Sequence, residues 1–137
     1  INMKLDNDTI ELINLFEKMT NSHVKDCFTS NGRIVFVVKN GEARNAIGIK
    51  GRNVNKIEYM IKKKIKIVEF NDDVVKFVRS FLFPIKPSDI KFENDVIEIK
   101  ADDMKDRGIL IGRDRRNLIN LKEVVNKYFK VSDIKIV

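Results

Sequence analysis

The sequence predicts an α+β protein in which one small unit is used twice. Ala46 to Val54, built around Gly48 and Gly51, is echoed by Leu110 to Leu118, built around Gly112, 64 residues further on. Downstream the apolar positions coincide: Ile57 with Leu121, Met60 with Val124 and Ile61 with Val125. Each copy closes on Ile-Lys-Ile-Val, at Ile65 to Val68 and at Ile134 to Val137, the second copy being five residues longer before that strand. Within each copy the apolar spacing switches between helical and strand periods in the order α-β-β-α-α-β. A repeat of this kind constrains a fold more than any single motif.

The first unit, residues 1–71, opens with a helix. Asp8 is its expected N-cap with Glu11 three residues on, and Ile10, Ile13, Phe16 and Met19, or their neighbours Leu12 and Leu15, form its buried face. The helix should end near Thr20 to Ser22. Cys27 to Thr29 and Arg33 to Val38 read as strands around an Asn31-Gly32 turn, a pair that readily takes positive φ. A short helix over Glu42 to Ile47 leads into the glycine loop. Val54, Ile57 and Ile61 then mark a helix, and Ile65 to Phe70 a strand.

The second unit, residues 72–137, repeats the order. Val74 to Phe83 is a helix stopped before Pro84, Ile90 to Phe92 and Val96 to Ile99 form a hairpin across Asn94-Asp95, and Met104 to Ile111 is a short helix. A long helix follows with Leu118, Leu121, Val124, Val125, Tyr128 and Phe129 on one face, before the last strand. No low-complexity linker separates the units, so the expectation is that they pack together at a joint rather than swing on a tether.

Composition narrows the function classes. The chain has 137 residues, 43% hydrophobic and 34% charged, as in a soluble globular protein. No apolar run approaches the ~20 residues of a membrane span, and Asn2, Lys4, Asp6 and Asp8 interrupt any signal-peptide core. The single Cys27 excludes an intramolecular disulfide and fits a reducing, cytoplasmic setting. A net charge of +7 points to a polyanionic partner, nucleic acid before membrane. Residues 1–71 carry 13 Lys and Arg against 8 Asp and Glu, and residues 72–137 carry 14 against 12, so most of the excess lies in the first copy. There Lys50, Arg52, Lys56, Lys62, Lys63, Lys64 and Lys66 face Glu58, which reads either as a binding surface or as a solvated lysine-rich helix face.

A Gly-x-x-Gly between two helices suits a sugar-phosphate backbone. Without side chains at Gly48 and Gly51 a phosphate can approach the main chain, and the following helix offers unpaired N–H donors and a favourable dipole. Lys50 and Arg52 add positive charge, with Ile49, Asn53 and Lys56 beside them. A groove alongside can take bases against Ile47, Val54 and Ile57.

The loop alone is a weak signal. Ile-Gly-x-x-Gly-x-x-Val, set in α-β-β-α-α-β order and present twice, resembles the prokaryotic-type (type II) KH domain, whose glycine loop clamps about four nucleotides of single-stranded nucleic acid. Two KH units in tandem are similar to the paired KH region of NusA transcription factors, and the chain's length is similar to that of the short archaeal NusA-like proteins. The resemblance implies RNA binding in transcription elongation, termination or antitermination, with RNA polymerase as a further partner, and no cofactor, metal or small-molecule substrate. The second copy departs from the pattern: Gly112 is kept, but Arg115 stands where Gly51 does. A side chain there could block a phosphate, and Asp114 would repel one, whereas Arg113, Arg115 and Arg116, with Asn117, could hold it through side chains.

Two other readings of the fold stay open: a docking module on RNA polymerase or a ribosomal particle with minor RNA contact, and a ribosome-associated KH protein. Single-stranded DNA is also compatible with this chemistry. Enzymatic readings have less behind them. His23 and Cys27 do not complete a metal or nucleophile site. Asp102, Asp103 and Asp106 are explained as helix-start carboxylates, and no Walker or dinucleotide fingerprint is present. Phe28, Phe36, Phe70, Phe92 and Phe129 read as core, and Tyr59, off its helix's apolar stripe, as a candidate for base stacking.

Overall fold

The computed structural model describes residues 7–137, in two compact units, one ending at Asn71 and the other starting at Asp72. The first contains α1 (Asn7–Thr20), β1 (Val24–Ser30), β2 (Arg33–Val38), α2 (Ala43–Ile47), α3 (Arg52–Ile61) and β3 (Ile65–Glu69). The second contains α4 (Val74–Leu82), β4 (Asp89–Glu93), β5 (Val96–Lys100), α5 (Met104–Ile111), α6 (Arg116–Asn126) and β6 (Asp133–Ile136). Single 3-10 turns, Ile49–Gly51 and Arg113–Arg115, join α2 to α3 and α5 to α6. The fold class is α+β.

Each sheet is mixed and three-stranded. β2 lies between β1, antiparallel to it, and β3, parallel to it; β5 lies in the same way between β4 and β6. Two-residue turns close both hairpins, with positive φ at Asn31 and Gly32 and at Asn94 and Asp95, the geometry that matches strand twist. A bulge between Val24 and Asp26 accompanies the extension of β1 before the expected Cys27. In the first unit Phe16 of α1, Ala46 of α2 and Ile57 of α3 meet Cys27, Ile34, Phe36, Val38 and Ile65 of the sheet. The Phe16 and Phe36 rings stack at 4.1 Å.

The central strands differ in burial. β2 is apolar and buried from Ile34 to Val38, whereas β5 alternates, with Ile97 and Ile99 buried and Glu98 and Lys100 exposed. The first is the pattern of a strand covered on both faces, the second that of a half-covered one.

Several expected details shift. Asp8 sits in the first turn of α1, not at its cap, and whatever precedes Asn7 lies outside the described residues. Ile10 is 46% exposed, because the inward face of α1 runs through Thr9, Leu12, Ile13, Phe16 and Thr20. The buried Thr20 hydroxyl donates to the Phe16 carbonyl at 2.7 Å. Phe92 is 39% exposed rather than core. Helix α6 ends at Asn126, so Tyr128 and Phe129 follow it, yet both rings still pack on Phe77, with centroids 5.4 and 5.5 Å away. No helix among the described residues is long and apolar enough to cross a membrane.

Candidate functional site

The glycine loop is built by a sharp reversal between α2 and α3. Gly48 has φ 80° and ψ 167°, Lys50 φ 54° and ψ 29°, and Gly51 φ 74° and ψ 19°. Gly48 occupies a region open to little but glycine. Lys50 and Gly51 are left-handed, which a side chain tolerates at some cost. The Gly51 N–H donates to the Gly48 carbonyl at 3.1 Å and closes the turn.

The second loop has the same backbone. Gly112 has φ 76° and ψ 170°, Asp114 φ 55° and ψ 31°, and Arg115 φ 62° and ψ 20°. The Arg115 N–H donates to the Gly112 carbonyl at 3.2 Å. An arginine in place of the second glycine has not altered the course of the chain there. A Cβ at Gly51 would meet nothing closer than Asn55 Nδ2 at 4.0 Å, so only φ favours glycine at that position. A Cβ at Gly48 would lie 3.0 Å from the Asn53 side chain, and one at Gly112 2.8 Å from that of Asn117. The first glycine of each loop is thus required on two grounds and the second on one.

Asn53 and Asn117, expected as nucleic-acid contacts, point back into their own units. Asn53 Nδ2 donates to the Asn45 carbonyl at 3.2 Å, and Asn117 Nδ2 to the Ile109 carbonyl at 2.6 Å.

Around the first loop lies a groove of about 680 Å³ lined by Gly41, Arg44, Asn45, Gly48, Ile49, Lys50, Arg52 and Asn53. It brings together five of the expected residues and adds Gly41, Arg44 and Asn45. Arg44 stands one turn before Gly48, and its counterpart in the second copy is Gly108, so the repeat gave no cue to it. Ile49 is 83% exposed, an aliphatic side chain held out beside cations. Ile47 and Val54 are half-buried next to the loop, but Ile57 is 0% exposed: it is core, and no base can reach it. Lys56 is exposed on α3, and Arg113, Arg115 and Arg116 are exposed around the second loop.

Other bonds fix the loop's supports. The α2 N-terminus has no cap of its own, and Glu69 at the end of β3 accepts from the Ala43 N–H at 3.1 Å instead. Glu42 accepts from the His23 backbone N–H at 2.6 Å and lies 3.1 Å from His23 Nδ1; these bonds hold its carboxyl below the usual range. At the far end of α3, Glu58 accepts from the Ile65 N–H at 2.9 Å and pairs with Lys64 at 3.7 Å.

The lysine cluster is therefore divided. Lys62 to Lys64 follow the C-terminus of α3, about 15 Å of helix away from the loop, with Lys62 Nζ 4.2 Å from the exposed Tyr59 ring. Lys66 is half-buried on β3: burial, with Arg33 nearby, pushes its pKa down from 10.5 to about 8. Arg44, Lys50 and Arg52 supply the charge of the groove itself.

The remaining candidates have structural explanations. Burial, then the Asp26 charge, raises the Cys27 thiol to about 12, which leaves it without nucleophilic character. Asp103 caps α5, accepting from the Lys105 N–H at 2.7 Å, and Asp106 sits in the first turn. Among the described residues no three His, Cys, Asp or Glu side chains gather as a metal site.

No protein-family model matches the chain. It is 33% identical over 138 residues to the probable transcription termination protein NusA of Methanococcus vannielii, covering 98% of this chain and 80% of that protein. It is 31% identical to the protein of that name from Methanocaldococcus jannaschii, covering 98% and 75%. With that of Halobacterium salinarum the identity is 30%, over 98% of both chains. A solved structure described as "Crystal structure of APE1850" superposes with a TM-score of 0.69 at 29% identity, over 93% of this chain and 96% of that one.

Proposed function

The chain belongs to the archaeal NusA-like family of transcription termination proteins, and from that premise we propose that it binds single-stranded RNA through two type II KH units while acting on transcription. The units are residues 1–71 and 72–137, and the protein works in the cytoplasm beside RNA polymerase, without a cofactor and without catalysing a reaction. RNA crosses the first loop between Ile47 and Val54 and continues over the second at Gly112, Arg113, Arg115 and Arg116, with Asn53 and Asn117 turned back to support the loops.

The observation that carries this reading is the groove at the first loop. It joins a main chain free of side chains at Gly48 to three cations, Arg44, Lys50 and Arg52, and an exposed aliphatic group, Ile49. A phosphate needs close approach and positive charge, and a base or ribose needs an apolar surface. The groove offers both within a few residues. Lys56, one turn beyond Arg52, extends the positive charge along α3.

The test is a fluorescence titration of a short single-stranded RNA pool with the wild type and with Ile49→Asp combined with Lys50→Asp, both checked for folding by circular dichroism. The variant should bind at least about tenfold more weakly, since an apolar side chain and a cation both give way to carboxylates that repel phosphate. Equal binding, or none by either protein, would favour a docking module whose RNA contact is minor.

A further inference from the structure

We infer that Asn53 and Asn117 are positioning residues that hold each glycine loop in its nucleic-acid-ready shape before any ligand arrives. The two copies differ at three of the four loop positions, Ile49 and Arg113, Lys50 and Asp114, Gly51 and Arg115. Their backbone angles nevertheless agree to within about 12°. The loop residues that differ therefore do not set that shape. Around the loop the copies share Ile47 and Ile111, the first glycine, Arg52 and Arg116, and the asparagine five residues after the glycine; of these, the asparagine side chain is the one that bonds across the loop, and it does so against the glycine.

The geometry gives that pair a mechanism. Each asparagine is the second residue of the helix after the loop, and its amide donates across the loop to a carbonyl eight residues earlier, in the helix before it. The bond fastens the two helices together on either side of the turn. To reach, the side chain passes over the Cα of Gly48 or Gly112 so closely that a Cβ would stand 3.0 or 2.8 Å from it. The brace and the glycine are one device, and the brace explains why the second copy could exchange its second glycine but keeps its first. A loop held in this way spends no binding free energy on being ordered. The value of the brace for RNA rests on the function proposed above; its existence does not.

The test uses the full chain without RNA. Asn53→Asp and Asn117→Asp keep side-chain size and favour a helix start, where a carboxylate suits the dipole, but they cannot donate to the carbonyl. Amide exchange by NMR is followed at Gly51 and Arg115, whose N–H groups close the turns. Each variant should speed exchange about fivefold or more in its own loop and leave the other loop unchanged. Unchanged exchange in both would overturn the inference. RNA affinity is then measured with Asn53→Ala, which adds no charge, and should fall. A fall in affinity with unchanged exchange would make Asn53 a direct RNA contact instead. Faster exchange with no RNA binding even by the wild type would leave the brace standing and remove the RNA reading.

Discussion

The loop at Gly48–Gly51 and the loop at Gly112–Arg115 have one backbone and two chemistries. The first presents an aliphatic side chain, a lysine and a bare glycine; the second presents arginine, aspartate and arginine. A side chain at the last position was expected either to block a phosphate or, with the neighbouring arginines, to hold one. A Cβ at the equivalent Gly51 meets no protein atom closer than 4.0 Å, so the loop takes a side chain there without changing its course. Conformation here is set by the first glycine and its asparagine, which leaves the other positions to vary in what they offer a ligand.

A second contrast runs through the repeated Ile-Lys-Ile-Val. Lys66 pairs in register with the buried Val35, and Lys135 with the exposed Glu98. The same residue is thus half-buried in one copy and exposed in the other.

The largest expected effect breaks this second comparison. Because burial holds the folded Lys66 pKa at about 8 against 10.5, the unfolded chain binds the proton more tightly. The cost to stability is full below about pH 8, shrinks as pH rises and is gone above about 10.5. Lys66→Met should therefore stabilise the protein by up to about 3 kcal/mol at pH 7, with a gain that fades through that window. Lys135→Met should change stability by less than about 0.5 kcal/mol at any pH. Urea unfolding at pH 7 and pH 10 measures both.

Next come the first glycines. Gly112→Ala and Gly48→Ala should each cost on the order of 1–3 kcal/mol, the former more because its asparagine is 0.2 Å closer. Equal losses in thermal unfolding would mean that the asparagine contact adds nothing to the cost of the backbone angles. The smallest effect belongs to the last loop position. Arg115→Gly should gain, and Gly51→Arg lose, about 0.5–1 kcal/mol through the left-handed backbone alone, while circular dichroism stays unchanged. A Gly51→Arg protein that fails to fold would mean that the loops are not interchangeable.

The order of elements was legible because apolar spacing and the repeat agreed. Helix α5 and strand β2 fall on their predicted residues, where Asp103 caps one and an Asn-Gly turn starts the other. Helix α6 is shorter than its spacing predicts, since Tyr128 and Phe129 keep the helical spacing after the backbone has left the helix; they still pack on Phe77. At the site the glycines could be read from the sequence, but the direction in which Asn53 and Asn117 point could not. A hydrogen bond to a carbonyl eight residues back follows no helical or strand period, although the repetition of both asparagines was a visible signal. Ile57 falls in the core rather than beside the bases because spacing marks a residue as inward without saying how deep. Lys66 reads as a surface lysine because its alternation matches that of Lys135.

The central claim, that both loops meet RNA through one shared backbone shape, is tested most directly by the salt dependence of single-stranded RNA binding for the wild type and for Arg113→Ala combined with Arg115→Ala. If the second loop holds phosphates through its arginines, the slope of log affinity against log salt should become shallower by about 0.7 for each phosphate the variant no longer neutralises, with affinity falling alongside. An unchanged slope and affinity in a folded variant would contradict the claim and confine RNA to the first loop.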